Sequence, residues 1–167
     1  MKDRKKKAVA VLLMMAVLLG AVQTTQGVAV QAASKLTKED FKFTGKYKSE
    51  FNEVIKGNRG FVLCTSRGEK NPKKCFKTKR GITLTSTKNQ VFKKYGKVSA
   101  KKLGEKTEIY KELKKYVKIS SWKKDFNLIK NEKCAAYTYE SESDTFTLRF
   151  FFDKKNKVNA IIVSCNR

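Results

Sequence analysis

Histidine is absent from all 167 residues. Its absence removes the Ser-His-Asp and Cys-His nucleophile arrangements and every metal site built on imidazole. No two cysteines stand in Cys-x-x-Cys spacing, which excludes the usual zinc and dithiol redox motifs. No glycine-rich loop of the phosphate-cradling kind occurs either. Acid is scarce, with 15 Asp and Glu against 39 Lys and Arg and a formal net charge of +24. The one small carboxylate cluster, Glu140, Glu142 and Asp144, falls between two strand patterns and reads as turn chemistry or as partners for nearby lysines. No catalytic machinery is recognisable, and neither a metal nor a cofactor is expected.

Long apolar runs are missing as well. The longest uncharged one, Ala8 to Val22, has 15 residues, short of the roughly 20 needed to cross a bilayer. It follows Lys2, Arg4, Lys5, Lys6 and Lys7 and precedes Val30-Gln-Ala32, a sequence suited to signal peptidase. Residues 1–32 therefore read as a secretory signal, with a retained membrane anchor as the alternative. The predicted location is secreted, extracellular or associated with the cell wall. Without five basic residues and one acidic residue, the chain keeps 34 Lys and Arg against 14 Asp and Glu, about +20 over 135 residues. That length suits one domain with a proper core, and that charge predicts adhesion to polyanions.

Residues 33–41 read as a flexible lead and 42–167 as one domain. Phe41 and Phe43 alternate with Lys42 and Thr44, predicting a short strand up to Tyr47. Phe51, Val54 and Ile55 have helical spacing ended by Gly57, and Phe61–Thr65 reads as a strand. Glu69 to Lys79, with the chain's single proline, Pro72, reads as an exposed basic loop. The best-marked stretch is Arg80 to Gly96. Ile82 and Leu84 alternate with threonines as in a half-buried strand. Thr87-Lys-Asn-Gln90 then matches a capping box, Val91, Phe92 and Tyr95 share a face, and Gly96 supplies a helix stop. A helix over about Lys88–Tyr95 is predicted.

Downstream, Ile109, Tyr110, Leu113, Tyr116 and Val117 mark an amphipathic helix with a basic outer face. Trp122, Phe126 and Ile129 mark another, with the only tryptophan read as a lid on the core rather than a ligand platform. Ala135–Tyr139, Thr145–Phe152 and Val158–Val163 alternate as three strands joined by hairpin-length loops. Phe146, Leu148, Phe150 and Phe152 form a core face. The reverse face is the expected partner surface, through Tyr137 or Tyr139, Arg149 and Phe151.

The segment RGITLTSTKNQVFKKYGK, followed by a helix and strands ending in FTLRFFFDKKNKVNAIIVS, resembles a family of small secreted proteins of Gram-positive bacteria. In plan it is similar to domains shaped like the beta-lactamase inhibitory protein and the small outer-membrane assembly lipoproteins. The resemblance covers roughly residues 80–164. It implies a helix pair on an antiparallel sheet and a binding or scaffold role, and it supplies no catalytic residues.

Four cysteines in an exported chain suggest disulfides. In a meander, Cys134 and Cys165 lie at opposite ends of the sheet, too far apart for a bridge. Either Cys64 and Cys75 each reach the C-terminal sheet, or Cys64–Cys75 forms alone; four buried thiols are the alternative. Polyanion contacts are expected from Lys70, Lys73, Lys74, Lys77, Lys79 and Arg80 around one loop, and from Lys93 and Lys94 on the capped helix, with a plain soluble lysine surface as the competing reading.

The expectation is an α+β protein with two or three helices packed on an antiparallel sheet and a C-terminal three-stranded meander. Its expected role is non-catalytic binding at the cell envelope, to a protein partner or an anionic wall polymer. A carboxylate-dependent enzyme or inhibitor of wall hydrolysis is the second reading, and a cationic protein acting on membranes or nucleic acid the third.

Overall fold

In the computed structural model, residues 35–56 and 60–166 are described. The signal reading of residues 1–32 and the Gly57 helix stop lie outside them. Thr145–Phe152, which alternates up to Phe150 and ends in three consecutive phenylalanines, builds the strand at the centre of the sheet, β6, in an all-antiparallel order β2-β7-β6-β5-β4. Its neighbours are β2 (Phe61–Thr65), β7 (Val158–Asn166), β5 (Lys133–Glu140) and β4 (Lys101–Lys102). Strands β5, β6 and β7 form the expected meander, joined by a turn at Ser141–Asp144 and another at Asp153–Lys157. A second, two-stranded ladder pairs β1 (Phe43–Thr44) with β3 (Lys77–Thr78). The fold is α+β.

Because successive strand residues point to opposite faces, the sheet carries two apolar surfaces, and both are covered. One face bears Phe146, Leu148, Phe150 and Phe152. Against it pack α1 (Lys48–Ile55) through Phe51 and Val54, α3 (Lys88–Tyr95) through Val91 and Tyr95, and Phe41. The other face bears Phe151, Ala160 and Ile162, covered by α4 (Glu108–Lys115) and α5 (Ser120–Asn131) through Ile109, Leu113, Phe126 and Ile129. With the four-residue α2 (Pro72–Cys75) there are five helices among the described residues. Phe150 and Phe151 are both 0% exposed, and truncating either to alanine is expected to cost about 3–5 kcal/mol.

The capped helix forms as its sequence predicts. Gln90 N–H donates to Thr87 Oγ1 at 3.2 Å, and Thr87 N–H donates to Gln90 Oε1 at 2.7 Å. Gly96 ends α3 with φ 92° and ψ 152°, so the stop uses positive φ in an extended rather than a helical form. The chain before the cap differs from expectation. Ile82 and Leu84 are buried, but residues 81–86 form no strand: Thr83 makes a single isolated bridge to Lys77 and the chain turns at 84–85. The backbone here is drawn onto the β6–β7 hairpin: Thr85 N–H donates to Val158 O at 2.6 Å, Val158 N–H to Ser86 O at 2.8 Å, and Lys88 N–H to Asn156 O at 2.8 Å. Two extended residues cannot run on as a strand once their bonds turn onto that hairpin, and Thr85 adopts φ 83°.

The lead is likewise corrected. Lys38–Phe41 form a 3-10 turn whose Phe41 and Asp40 are 0% and 6% exposed. The strand predicted up to Tyr47 shortens to β1, because Gly45 turns the chain into α1. The predicted basic loop also contains α2 and the buried Cys75 and Phe76. No helix among the described residues is long and apolar enough to cross a membrane.

Candidate functional site

Lys70, Lys73, Lys74 and Lys77 stand on and around α2, all exposed. None of their ammonium groups makes a hydrogen bond or ion pair within the described residues. Lys93 and Lys94 on α3 are the same in both respects. The two groups are joined through one contact, in which Arg80 Nη1 donates to Lys94 O at 2.8 Å. This brings the turn after β3 against the last turn of α3.

Two of the expected cations are committed elsewhere. Lys79 pairs with Glu39 at 3.3 Å. Arg80 is a correction to the polyanion set: its Nε and Nη2 donate to the two carboxylate oxygens of Asp40 at 2.6 and 2.8 Å. The paired side chains are 12% and 9% exposed, and the guanidinium lies 5.0 Å from the centre of the Tyr95 ring. Burial works against the Asp40 carboxylate, but the Arg80 and Thr37 bonds outweigh it and hold the group below its ordinary range. The pair fastens the 3-10 turn to the α3 corner.

The reverse sheet face is not an open partner surface. Phe151 is 0% exposed beneath α4 and α5, so it offers nothing to a partner. Tyr137 belongs to the phenylalanine face instead, 5% exposed, with its hydroxyl donating to Gly96 O at 2.8 Å. Tyr139 lies on that face too, stacked on Phe146 at 6.2 Å and 16°. Arg149 shares the expected face with Phe151 and is half-buried, with Nη1 donating to Ser164 Oγ at 2.9 Å. Burial holds its guanidinium below the usual value.

The cysteines are four buried free thiols, which corrects the disulfide expectation. Cys134 faces Phe151 and Cys165 faces Phe146 across the ladder, five residues or roughly 17 Å apart along β6. Cys64 and Cys75 lie in the phenylalanine-side core. Burial pushes the Cys64 thiol up to about 12 and the Cys134 thiol up to about 11, and raises that of Cys75. Such thiols are poor nucleophiles at neutral pH. Glu140 and Glu142 are exposed, and Asp144 closes its turn through a Ser141 Oγ bond from its own N–H at 3.0 Å. No group of three or more His, Cys, Asp or Glu placed to hold a metal occurs among the described residues.

A groove of about 620 Å³ lies where Gly60 and the β2 residues Phe61, Val62 and Leu63 run between α1 and α4. Phe61, Tyr116 and Trp122 form its aromatic wall, with ring centres 6.0 Å apart for Phe61–Tyr116, 6.3 Å for Phe61–Trp122 and 5.5 Å for Tyr116–Trp122. Glu50 lines it from α1, and Glu108 and Glu112 line it from α4. Tyr116 and Ile119, 41% and 51% exposed, are the exposed large apolar side chains of the described residues, and both belong to the α4–α5 connection beside this groove. Trp122 thus both covers the second core and lines a groove. The sequence reading missed the groove because β2 and α4 meet only through pairing over long range. Its one sequence-level trace is Tyr116, placed where the helical face reaches the end of α4.

No family model, no curated protein and no solved structure matches the chain.

Proposed function

We propose that the chain is a non-catalytic binding module, secreted and held at the cell envelope by an anionic polymer. The observation that carries this reading is the set of six exposed ammonium groups, Lys70, Lys73, Lys74, Lys77, Lys93 and Lys94, without carboxylate partners among the described residues. A chain with about twenty surplus positive charges attracts any polyanion. A surface whose cations are not already neutralised converts that attraction into contacts. The raised cysteine thiols and the absence of histidine favour binding over turnover.

Co-sedimentation of the protein with purified cell walls, with and without teichoic acid and across a salt series, tests it. Six phosphate contacts predict a loss of affinity on the order of 10³-fold between 50 and 200 mM salt. Replacing Lys70, Lys73, Lys74 and Lys77 with glutamine is expected to abolish pelleting at moderate salt, whereas Arg80→Met leaves it unchanged in whatever fraction stays folded. Pelleting that ignores both salt and the lysine substitutions refutes the proposal.

A further inference from the structure

We infer that the free edge of β2 and the groove beside it bind an extended, lysine- or arginine-bearing peptide segment of a partner protein by strand addition. Three observations combine. First, the edge is unpaired. Cys165 N–H donates to Gly60 O at 2.9 Å and Ser66 N–H to Asn159 O at 2.7 Å. With the register Val62↔Val163 and Cys64↔Ile161, the ladder bonds to β7 fall on alternate residues of β2. The N–H and C=O groups of Phe61, Leu63 and Thr65 therefore point the other way, and none of them makes a hydrogen bond within the described residues. A row of unpaired backbone groups is a template for another strand.

Second, the opposite edge is guarded and this one is not. Strand β4 has two residues, the exposed Lys101 and Lys102, which is a charged, short edge of the kind that resists pairing. Strand β2 has five residues and carries no lysine or proline. Tyr116, an exposed large apolar side chain, lies against Phe61 at this edge, with ring centres 6.0 Å apart.

Third, the local charge opposes that of the chain. In a strongly basic protein, carboxylates flank this edge from both sides of the sheet: Glu50 from α1, Glu108 and Glu112 from α4. Among the described residues Glu50 has no cationic partner, its carboxylate accepting from Ser49 Oγ at 2.9 Å. Glu108 and Glu112 contact Lys111 and Lys115 in exposed pairs three residues apart, pairs weak enough to be exchanged for an incoming cation. An added strand sends alternate side chains to the two faces, so basic residues meet Glu50 on one side and Glu108 and Glu112 on the other. Apolar residues between them meet the Phe61–Tyr116–Trp122 wall. The inference goes beyond the polyanion reading and uses a different surface.

The test is fluorescence anisotropy of the protein with a labelled octapeptide mixing lysine and valine on both faces of its strand. The same peptide N-methylated at alternate residues in each of the two possible registers, and a glutamate–valine counterpart, serve as controls. Saturable binding is expected, weakened at least tenfold by N-methylation in one register and by the variant E50K/E108K/E112K, with the glutamate peptide binding far less. Leu63→Pro removes an outward N–H without touching the β7 ladder and is expected to act like N-methylation. The N-methylated peptides keep the question open to decision should that variant fail to fold. The lysine-to-glutamine variant at positions 70, 73, 74 and 77 is expected to bind peptide normally, which separates this inference from the proposed function. Absence of binding, indifference to N-methylation, or a preference for the glutamate peptide overturns it. So does self-association in sedimentation velocity that Leu63→Pro abolishes, since the edge then belongs to a second copy of this chain.

Discussion

Asp40→Asn is the substitution whose outcome is most closely fixed by the structure. It keeps the size of the side chain and its bonds from Thr37, whose N–H lies 2.9 Å from Oδ2. What it removes is the charge opposite Arg80, a guanidinium only 12% exposed. Leaving one member of a shielded pair uncompensated costs 3–5 kcal/mol where burial is complete. The small residual exposure and the surviving bond from Arg80 to Lys94 O bring the expectation to about 3 kcal/mol. For a domain of this size that corresponds to a fall of roughly 10 °C in Tm. Replacing both residues, Asp40→Leu with Arg80→Met, is expected to recover most of the loss, because two apolar groups of similar volume need no partner. The carboxyl of Asp40 lies below its ordinary 3.8 in the folded state. Its contribution to stability is therefore present above about pH 4 and is lost as pH falls through the folded value. Urea titrations from pH 2.5 to pH 7 of the unmodified protein, Asp40→Asn, and the cycle Asp40→Leu, Arg80→Met and their double supply the coupling and the pH profile together. An Asp40→Asn loss below about 1 kcal/mol, or a double variant no better than the single, refutes the claim that this pair fastens the turn to the corner.

Other outcomes follow from single contacts. Thr87→Ala removes the acceptor for Gln90 N–H and is expected to lower stability by about 1 kcal/mol, with Thr87→Ser nearly neutral in thermal melts. Gly45→Ala places a Cβ 2.8 Å from the carbonyl oxygens of Cys75 and Lys74 at φ 115°, so a loss of about 2–4 kcal/mol is expected in urea titration. Burial raises the Glu132 carboxyl above 4.5, and its Oε2 has no hydrogen-bond partner among the described residues. A raised folded value means stability declines as pH climbs through that range, and Glu132→Gln is expected to flatten the decline and to be more stable at pH 7. The four thiols are expected to resist alkylation at pH 8 in the native protein and to react fully in denaturant; rapid native labelling of Cys64 or Cys134 contradicts their burial.

Local features were legible in the sequence where the physics is local. The Thr87–Gln90 box and the Gly96 stop lie within ten residues of each other, and the helix between them begins and ends where they require. The meander was equally plain, since each strand carries its own period. Tyr137 was misplaced although the means to place it were present. A four-residue loop at 141–144 sets Glu140 opposite Thr145, hence Tyr137 opposite Leu148, and residues opposite each other share a face. Phe151 is a different case. Alternation showed a second apolar face, but only the packing of α4 and α5, two helices with no sequence mark of where they dock, determined that it is covered. The Arg80–Asp40 pair spans 40 residues, and nothing in either segment names the other.

The placement of β7 between β6 and β2 also bears on the order in which the protein can be made. Phe61 faces Ser164 across about a hundred residues of intervening chain, so β2 emerges from the ribosome long before the strand it needs exists. Until Val158–Asn166 arrives, β6 lacks one neighbour and β2 lacks its only one, and the phenylalanine face has no completed surface against which α1 can settle. Long-range pairing of this kind slows folding, so the sheet stays open until β7 has emerged. Any factor that binds unfolded chains has that whole interval in which to act, and a chain cut short before residue 158 never acquires the strand that joins β2 to β6.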